Sequence, residues 1–356
     1  MTRYDVVIVG AGPAGAATAI LTARAGLSTL VLERSRFPRE KVCGDCLNPG
    51  AWALLDGLGV SPSIELLPSA KLRWVDFLDL AGRAIRFELP DDNRGERAIR
   101  RKIFDDALIR QAIAEGAEVR FGNPVFRIDN GVGWRVTAGE RSVRARFLIA
   151  ADGRNSSVAR LLADFPKTQT DRIALQTHFS TDVEPHVTLQ LKRYGYLGSA
   201  TIGEGLMNLC LVCRPQYAEP FRLEAAQRYG LPVDHHWQSI TPLTRSPIVA
   251  RRGNLLYVGD AGRVVEPLTG EGILYALKSG VLAAEAICAA VVKSSDASLI
   301  YAQQCQKVYG RRLWVNQIAR LAVLHPEISN QALQFLKWNP APLKYLTSKV
   351  VTVGGG

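Results

Sequence analysis

The chain has 356 residues, long enough for a large core shared between two domains, and its 47% hydrophobic and 22% charged residues are ordinary for a globular protein. No run of eighteen apolar residues marks a spanning helix. The formal charge of +11 would suit nucleic acid, but no RNA- or DNA-binding module accompanies it, so no nucleic-acid partner is expected.

The first element is legible in "DVVIVGAGPAGAATAILTARAGLSTLVLERS", residues 5–35. Val6 to Val9 form an apolar run suited to a parallel strand buried on both faces. Gly10, Gly12 and Gly15 follow as GxGxxG where strand turns into helix. The first glycine allows a tight turn, the second lets backbone approach a pyrophosphate, and the third lets helix pack on strand. The helix from Ala16 to Ala25 would aim its N-terminal amides at phosphate, and Gly26 ends it. "STLVLE" reads as the second strand and closes on Glu33, where a carboxylate can accept hydrogen bonds from a ribose. A glycine-tolerant βαβ turn without a ligand is the alternative. The N-terminus has no strongly basic leader and runs straight into this strand, so a cytoplasmic protein is expected.

The next segment, "RSRFPREKVCGDCLNPGA", is too long for a simple turn, and long ordered loops are often functional. "AWALLDGLG" reads as a helix closed by glycine. "KLRWVDFLDLAGRAIRFEL" alternates as a hairpin with Gly82 near its turn. "KIFDDALIRQAIAEGA" places Ile103, Leu108, Ile109, Ala112 and Ile113 at helical spacing and ends at Gly116. Short strands then lead into "FLIAADG". From Arg172 to Ile248, "RIALQTHFS", "HVTLQLKRY", "YLGSATI" and "LMNLCLVC" predict an antiparallel sheet. "NLLYVGDAGRVVEPLTGEGILYALKSGVLAAEAICAAVV" returns to a buried strand, a Gly-rich loop and a long apolar helix. The remainder is helical, broken at Pro326 and Pro340.

Six cysteines include two CxxC pairs, Cys43/Cys46 and Cys210/Cys213, with Cys288 in an apolar helix, expected in the core, and Cys305 apart. On a strand, a spacing of three points Cys210 and Cys213 to opposite faces, so no metal site is expected. From Ala302 onward Lys307, Arg311, Arg312, Arg320, Lys337, Lys344 and Lys349 stand against the single acid Glu327. With Leu313, Trp314, Ile318, Leu321, Phe335 and Trp338 on the same helices, this tail fits a membrane surface. A solvated helical face covering the rest of the protein is the other reading.

Three separated stretches, GxGxxG with Glu33, "IAADGRNSSVAR" and "YVGDAGRVVEPLTGEGILYALKSG", resemble the flavoprotein group that includes para-hydroxybenzoate hydroxylase and the geranylgeranyl reductases. The loop "PREKVCGDCLNPGAWALLDGLG" looks most like the geranylgeranyl reductase branch, including its menaquinone-reducing members. The resemblance runs to about Ser294. It implies an α/β fold: a Rossmann-like FAD-binding domain on a parallel sheet (1–70, 98–170 and 250–296), an antiparallel-sheet substrate domain (71–97 and 171–249), and a C-terminal helical region (297–356).

It also implies an FAD-dependent oxidoreductase with noncovalent FAD, since no flavin-linking His or Cys can be assigned, and with NAD(P)H or a reduced carrier as electron donor. By the resemblance, Gly10, Gly12, Pro13, Ala14 and Gly15 cradle the pyrophosphate, and Glu33, followed by Arg34, holds the adenosine ribose. Arg101 faces the ribityl-phosphate region, with a surface helix-capping charge as the alternative, and backbone at Val125 meets adenine. Asp152 and Gly153 lie under the pyrophosphate. Gly259 and Asp260 hold the ribityl chain, and Gly270, Gly272 and Ile273 bring a helix N-terminus to the flavin, where its positive end stabilises negative charge on the reduced ring. Cys43, Gly44 and Asp45 match the loop beside the flavin ring. Relatives often carry glycine at Cys46, so Cys43 and Cys46 read either as a redox pair or as loop cysteines.

The substrate is expected to be a hydrophobic small molecule, isoprenoid, aromatic or polyketide-like, with Tyr194 and Tyr196 as lining candidates. The region "RYGYLGSATIGEG" lacks the Tyr-x-Trp-x-Phe-Pro motif of geranylgeranyl reductases, and the halogenase Trp-x-Trp-x-Ile-Pro signature is also missing. Three activities therefore stand side by side: reduction of a hydrophobic substrate, hydroxylation of an aromatic one by a monooxygenase, and electron transfer to quinone at a membrane. No iron–sulfur cysteine set supports the last. No catalytic residue can be assigned. The expected location is the cytoplasm, with peripheral contact at the inner face of the membrane.

Overall fold

The computed structural model describes residues 1–89, 94–167, 172–249, 253–310, 313–336, 338 and 341–342. Of the basic tail residues, Arg311, Arg312, Lys337, Lys344 and Lys349 lie outside that set, as does Pro340.

Elements are numbered along the chain. One sheet runs in the order β8 (Glu118–Phe121), β2 (Thr29–Glu33), β1 (Arg3–Val9), β11 (Arg141–Ala150), β10 (Gly133–Ala138) and β9 (Val125–Gly131), with β17 (Leu255–Tyr257) also paired to β11. The strands β8, β2, β1, β11 and β17 are mutually parallel. Their centre is apolar on both sides because helices cover one face and the β9–β10 ribbon and its neighbours the other. Val6 and Ile8 enter one core cluster and Val7 and Val9 another.

The second sheet is β16 (Gln238–Ile240), β12 (Ile173–Ser180), β15 (Leu206–Cys213), β14 (Gly195–Ile202), β13 (Val187–Lys192), β5 (Trp74–Leu78) and β6 (Ala84–Glu88). It is antiparallel except where β13 meets β5 in parallel. The β5–β6 hairpin turns at Gly82, whose φ of 79° suits glycine. A small third sheet joins β3 (Cys46–Leu47), β7 (Arg97–Ala98) and β4 (Ala70–Lys71). The fold is therefore the α/β arrangement of a parallel-sheet nucleotide domain with an antiparallel partner sheet and C-terminal helices.

The helices are α1 (Pro13–Arg24), α2 (Ala51–Leu58), α3 (Ser61–Glu65), α4 (Arg101–Ala114), α5 (Ser157–Leu161), α6 (Ala218–Arg228), α7 (Gly272–Lys293), α8 (Ala297–Gly310), α9 (Leu313–Leu324) and α10 (Pro326–Leu336). By length and composition α7 could cross a bilayer, yet half of its apolar window is buried, and it packs along α1. In α4, Ile113 is exposed although helical spacing groups it with the core positions, because the neighbours α1 and α3 cover only the stripe through Phe104, Leu108, Ile109 and Ala112. Cys288 is only partly buried, on the flank of α7 rather than in its core stripe.

Candidate cofactor and active site

The β1–α1 junction is shaped by two glycines that cannot be replaced and one that leaves room. A Cβ on Gly10, at φ 105°, would lie 2.5 Å from the Ala151 carbonyl oxygen, and one on Gly15 would lie 2.0 Å from the Gly10 carbonyl oxygen. At Gly12 a Cβ would meet only Arg39 Nη2, at 3.8 Å, so the space above the helix terminus stays open. Gly12 is the N-cap of α1 and Pro13 its first residue, and no side chain caps the amides there. That end of α1 is left to attract an anion. Buried Glu33 accepts hydrogen bonds from the amides of Ala11 and Ser35, both at 2.8 Å, which ties the end of β2 to the glycine loop. The Asn123 amide donates to the Glu33 carbonyl at 2.8 Å, and Val125 opens β9 two residues further on.

The late Gly-Asp loop meets the same helix. Gly259, at φ 56°, would place a Cβ 3.0 Å from that of Ala14, and its amide donates to Ser279 Oγ at 2.8 Å. Gly280 is tighter still: its Cβ would fall 2.3 Å from the Ala14 carbonyl oxygen. Sequence reading passed over Gly280, whose only signal is a small residue inside the apolar helix. Gly270, at φ 67°, leads into α7, which starts at Gly272 without a side-chain cap. A Cβ on either glycine would meet nothing within 4 Å, while Ile273 behind them is buried.

A cationic rim surrounds this cleft. Arg101 begins α4 and grips fully buried Asp105 with two hydrogen bonds, 2.8 and 2.7 Å, so it is not a surface capping charge. Arg39 Nη1 lies 2.9 Å from the same carboxylate. Half-buried Lys41 loses solvation there and faces Arg101 and Arg39, which together lower its pKa to about 8, although Asp260 opposes the shift. Its Nζ would lie 3.7 Å from a Cβ on Gly153, itself at φ 83°. Arg154 pairs with Asp260 at 3.1 Å, and Arg245 donates to the carbonyls of Asp260 and Ala261. Asp152 accepts from Ser157 Oγ and the Val158 amide at the start of α5.

A cavity of about 590 Å³ opens along Arg34, Lys41, Asp152, Arg154 and the edge strand β16. Asp152 Oδ1 and Arg154 Nε are buried without a hydrogen-bond partner. Such orphans in a cationic cleft beside the glycine loop that opens α1 fit a dinucleotide with a diphosphate bridge. Arg39, Lys41, Arg154 and Arg245 escaped sequence reading as site residues, since scattered basic residues in loops carry no periodicity.

Beyond the cleft, the Cys43–Gly44–Asp45 turn is fastened to the second sheet. Asp45, at φ 58°, is buried, and its carboxylate meets His178 Nε2 at 2.7 Å and Asn208 Nδ2 at 2.9 Å. The Cys43 amide donates to Gln176 Oε1 at 3.0 Å, and the Cys43 carbonyl accepts from Asn208 Nδ2 at 2.8 Å. Cys210 Sγ reaches the same carbonyl at 3.4 Å. Burial pushes the Asp45 carboxyl up, against the pull of His178 and Arg101. Burial also raises the Cys43 thiol, with the guanidinium of Arg101 opposing, and raises Cys46 well above the usual thiol range. These sulfurs are held as thiols. Among the described residues no cluster of His, Cys, Asp or Glu is placed to hold a metal.

The two tyrosines separate. Tyr196 is buried in an apolar cluster with Ala174, Val212, Leu243 and Val323, flanked by Val42 of the Cys43 loop and Leu268 of the loop before α7. Tyr194 instead stacks on Tyr217 and hydrogen-bonds Glu224, on the side of the sheet covered by α6. Cys213 belongs to that same α6 side, opposite Cys210.

A glycine cradle, a Gly-Asp loop and a bare helix terminus converging on one cleft define a flavoprotein of the FAD-dependent oxidoreductase class. The family described as FAD binding domain matches residues 3–208, more than half of the chain, and the chain belongs to it. It is 30% identical to the menaquinone reductase of Mycolicibacterium smegmatis over 91% of this chain and 85% of that one. It is 28% identical to digeranylgeranylglycerophospholipid reductase 2 of Methanopyrus kandleri, over 94% and 89% of the two chains. The fold matches that of a geranylgeranyl bacteriochlorophyll reductase-like protein from Thermoplasma acidophilum with a TM-score of 0.78, at 23% identity, covering 99% and 94% of the chains. The chain is thus a geranylgeranyl reductase-like FAD-dependent oxidoreductase.

Proposed function

We propose that this enzyme reduces a carbon–carbon double bond in a hydrophobic, isoprenoid-bearing molecule. The observation that carries this reading is the apolar packing around Tyr196, which joins Val42 of the Cys43 loop and Leu268 of the loop before α7 and makes that face of the second sheet apolar. A substrate recognised there is selected by apolar contact and shape, with few polar groups to orient it. The reductases among the relatives point the same way.

When bound, FAD supplies hydride chemistry. The protein's part is to hold and exclude. Gly10, Gly12, Pro13, Ala14 and Gly15 with Arg39 and Lys41 would receive the diphosphate, and Glu33 with Arg34 the ribose. Arg101 and Asp260 would border the ribityl chain, Gly153 and Asp152 would lie beneath the diphosphate, and Val125 beside adenine. The uncapped end of α7 at Gly272 would offer a positive partial charge to the ring as it gains negative charge. Burial raises the Cys43 thiol, which would border the ring, and the Asp45 network fixes its turn. The electron donor in this reading is NAD(P)H or a reduced carrier, and the enzyme works in the cytoplasm at the inner face of the membrane.

Hydroxylation is the competing reading, favoured by the missing Tyr-x-Trp-x-Phe-Pro motif. The test incubates reduced, FAD-loaded enzyme with an isoprenoid quinone and analyses the product by mass. A gain of two hydrogens supports reduction when it persists after the quinone head is reoxidised and fragmentation locates it in the isoprenoid chain. A gain lost on reoxidation marks electron transfer to the quinone and overturns the reading. A gain of one oxygen in air, with a transient absorbing species during reoxidation, overturns it.

A further inference from the structure

Helix α9 has two unlike sides. Inward, Val315 and Val323 are buried, Val323 packed in the apolar cluster with Tyr196, and Asn316 Oδ1 accepts the Glu266 amide at 2.8 Å. Glu266 in turn holds Arg172 in a buried two-pronged ion pair, 2.9 and 2.8 Å, so α9 is fastened to the loop that leads into α7. Outward, Trp314, Ile318 and Leu321 recur at i, i+4 and i+7 and are 40%, 43% and 55% exposed. Helix α10 continues the pattern with Ile328 and Phe335, 66% and 71% exposed, and Trp338 beyond it is 90% exposed.

Five large apolar side chains on consecutive helices, with Trp338 just after them, exceed what a solvated surface scatters singly. The segment that carries them is basic in sequence: from residue 302 onward seven cations oppose one acid, and Lys307 and Arg320 are the two of these among the described residues. At the corner between the helices Arg193 and Arg214, both exposed, line a cavity of about 320 Å³ with His325 and Glu327. A second copy of this chain would bring two like-charged faces together. An anionic bilayer answers both features at once, with headgroups for the cations and acyl chains for the apolar stripe.

We infer that α9 and α10 form a membrane-docking face for anionic lipid, and that docking sets α9, whose inner side packs on Tyr196, against the bilayer. A lipid substrate then reaches the enzyme without crossing water. The docking stands on the surface alone, while the delivery rests on the reductase reading above.

The experiment uses the full-length, FAD-loaded enzyme with vesicles of phosphatidylcholine alone and of phosphatidylcholine with phosphatidylglycerol. The parent should sediment only with the anionic vesicles and release as salt rises. The double variant Trp314→Glu/Leu321→Glu and, separately, Phe335→Glu should each lower partitioning by about tenfold or more while retaining FAD. Reduction of a vesicle-embedded isoprenoid quinone should fall in parallel, and reduction of a short-chain, water-soluble analogue should not. Equal recovery with and without anionic lipid overturns the docking, as does self-association of the parent that the double variant abolishes without any vesicle binding. Vesicle binding without reduction of either quinone overturns the delivery and the reductase reading and leaves the docking face standing.

Discussion

Nε2 of His178 stands 2.7 Å from Oδ2 of Asp45, and this contact joins residues 133 apart in sequence across the boundary between two sheets. Asp45 reaches it with a left-handed backbone, φ 58°, a conformation that costs an L-residue free energy unless its surroundings hold it. The imidazole and Asn208 do so. His178→Ala should therefore leave a buried carboxylate short of a partner and cost about 1–3 kcal/mol. Asp45→Asn should recover part of that loss in the His178→Ala background but not in the parent. Denaturant unfolding of the four proteins measures the coupling, and purely additive effects would show that the pair does not fasten the turn.

Gly12 and Gly15 should separate binding from folding. Gly15→Ala drives a methyl to 2.0 Å from backbone oxygen and should destabilise the chain by several kcal/mol, on the order of the larger single-site effects. In Gly12→Ala the methyl enters open space, so the apoprotein should melt as the parent does. Its FAD affinity should nonetheless fall by about tenfold or more, because the methyl occupies the phosphate approach. Thermal melts and FAD titrations of both variants decide this, and tight FAD binding by Gly12→Ala would remove that glycine from the site.

Lys41 should make FAD binding depend on pH. Its folded pKa is depressed to about 8 by burial and by Arg101 and Arg39, so in the apoprotein it contributes stability above its ordinary value, lost as pH falls through 8. The bound diphosphate favours the ammonium. Above pH 8 binding must take up a proton, and affinity should weaken by up to about tenfold per pH unit. Lys41→Met should bind more weakly at pH 7 and lose this slope. A flat profile in the parent, from fluorescence titrations between pH 7 and 10, would contradict the assignment.

Glu96, beside Cys46, is pushed up to about 7 by burial. A raised carboxyl contributes stability below its unfolded value and loses it as pH rises through 7. Glu96→Gln cannot ionise. Its melting temperature should match the parent's at pH 5.5 and exceed it at pH 8.5. Parallel melting curves across that window would show that Glu96 reaches water when charged.

The βαβ unit, Glu33, the Gly82 hairpin and the four strands from Ile173 to Cys213 were legible in the chain itself. Each is specified by neighbours along the backbone: apolar runs, alternation, and glycines at turns. The opposite-facing Cys210 and Cys213 follow from the same pleat. What meets what across elements is not periodic and left no such trace. Tyr194 and Tyr196 look equivalent in sequence, yet one stacks on Tyr217 beside α6 and the other is buried in the apolar cluster on the opposite face. Gly280 reads as a helix-weakening residue until α1 is laid on it, so close that a Cβ there would fall 2.3 Å from the Ala14 carbonyl oxygen. Lys41, Arg39 and Arg101 become one cationic rim only when a loop and a helix terminus converge, and His178 becomes a partner of Asp45 only when one sheet docks on the other. Local chain stereochemistry fixed the elements, whereas burial and electrostatics between distant segments decided the site.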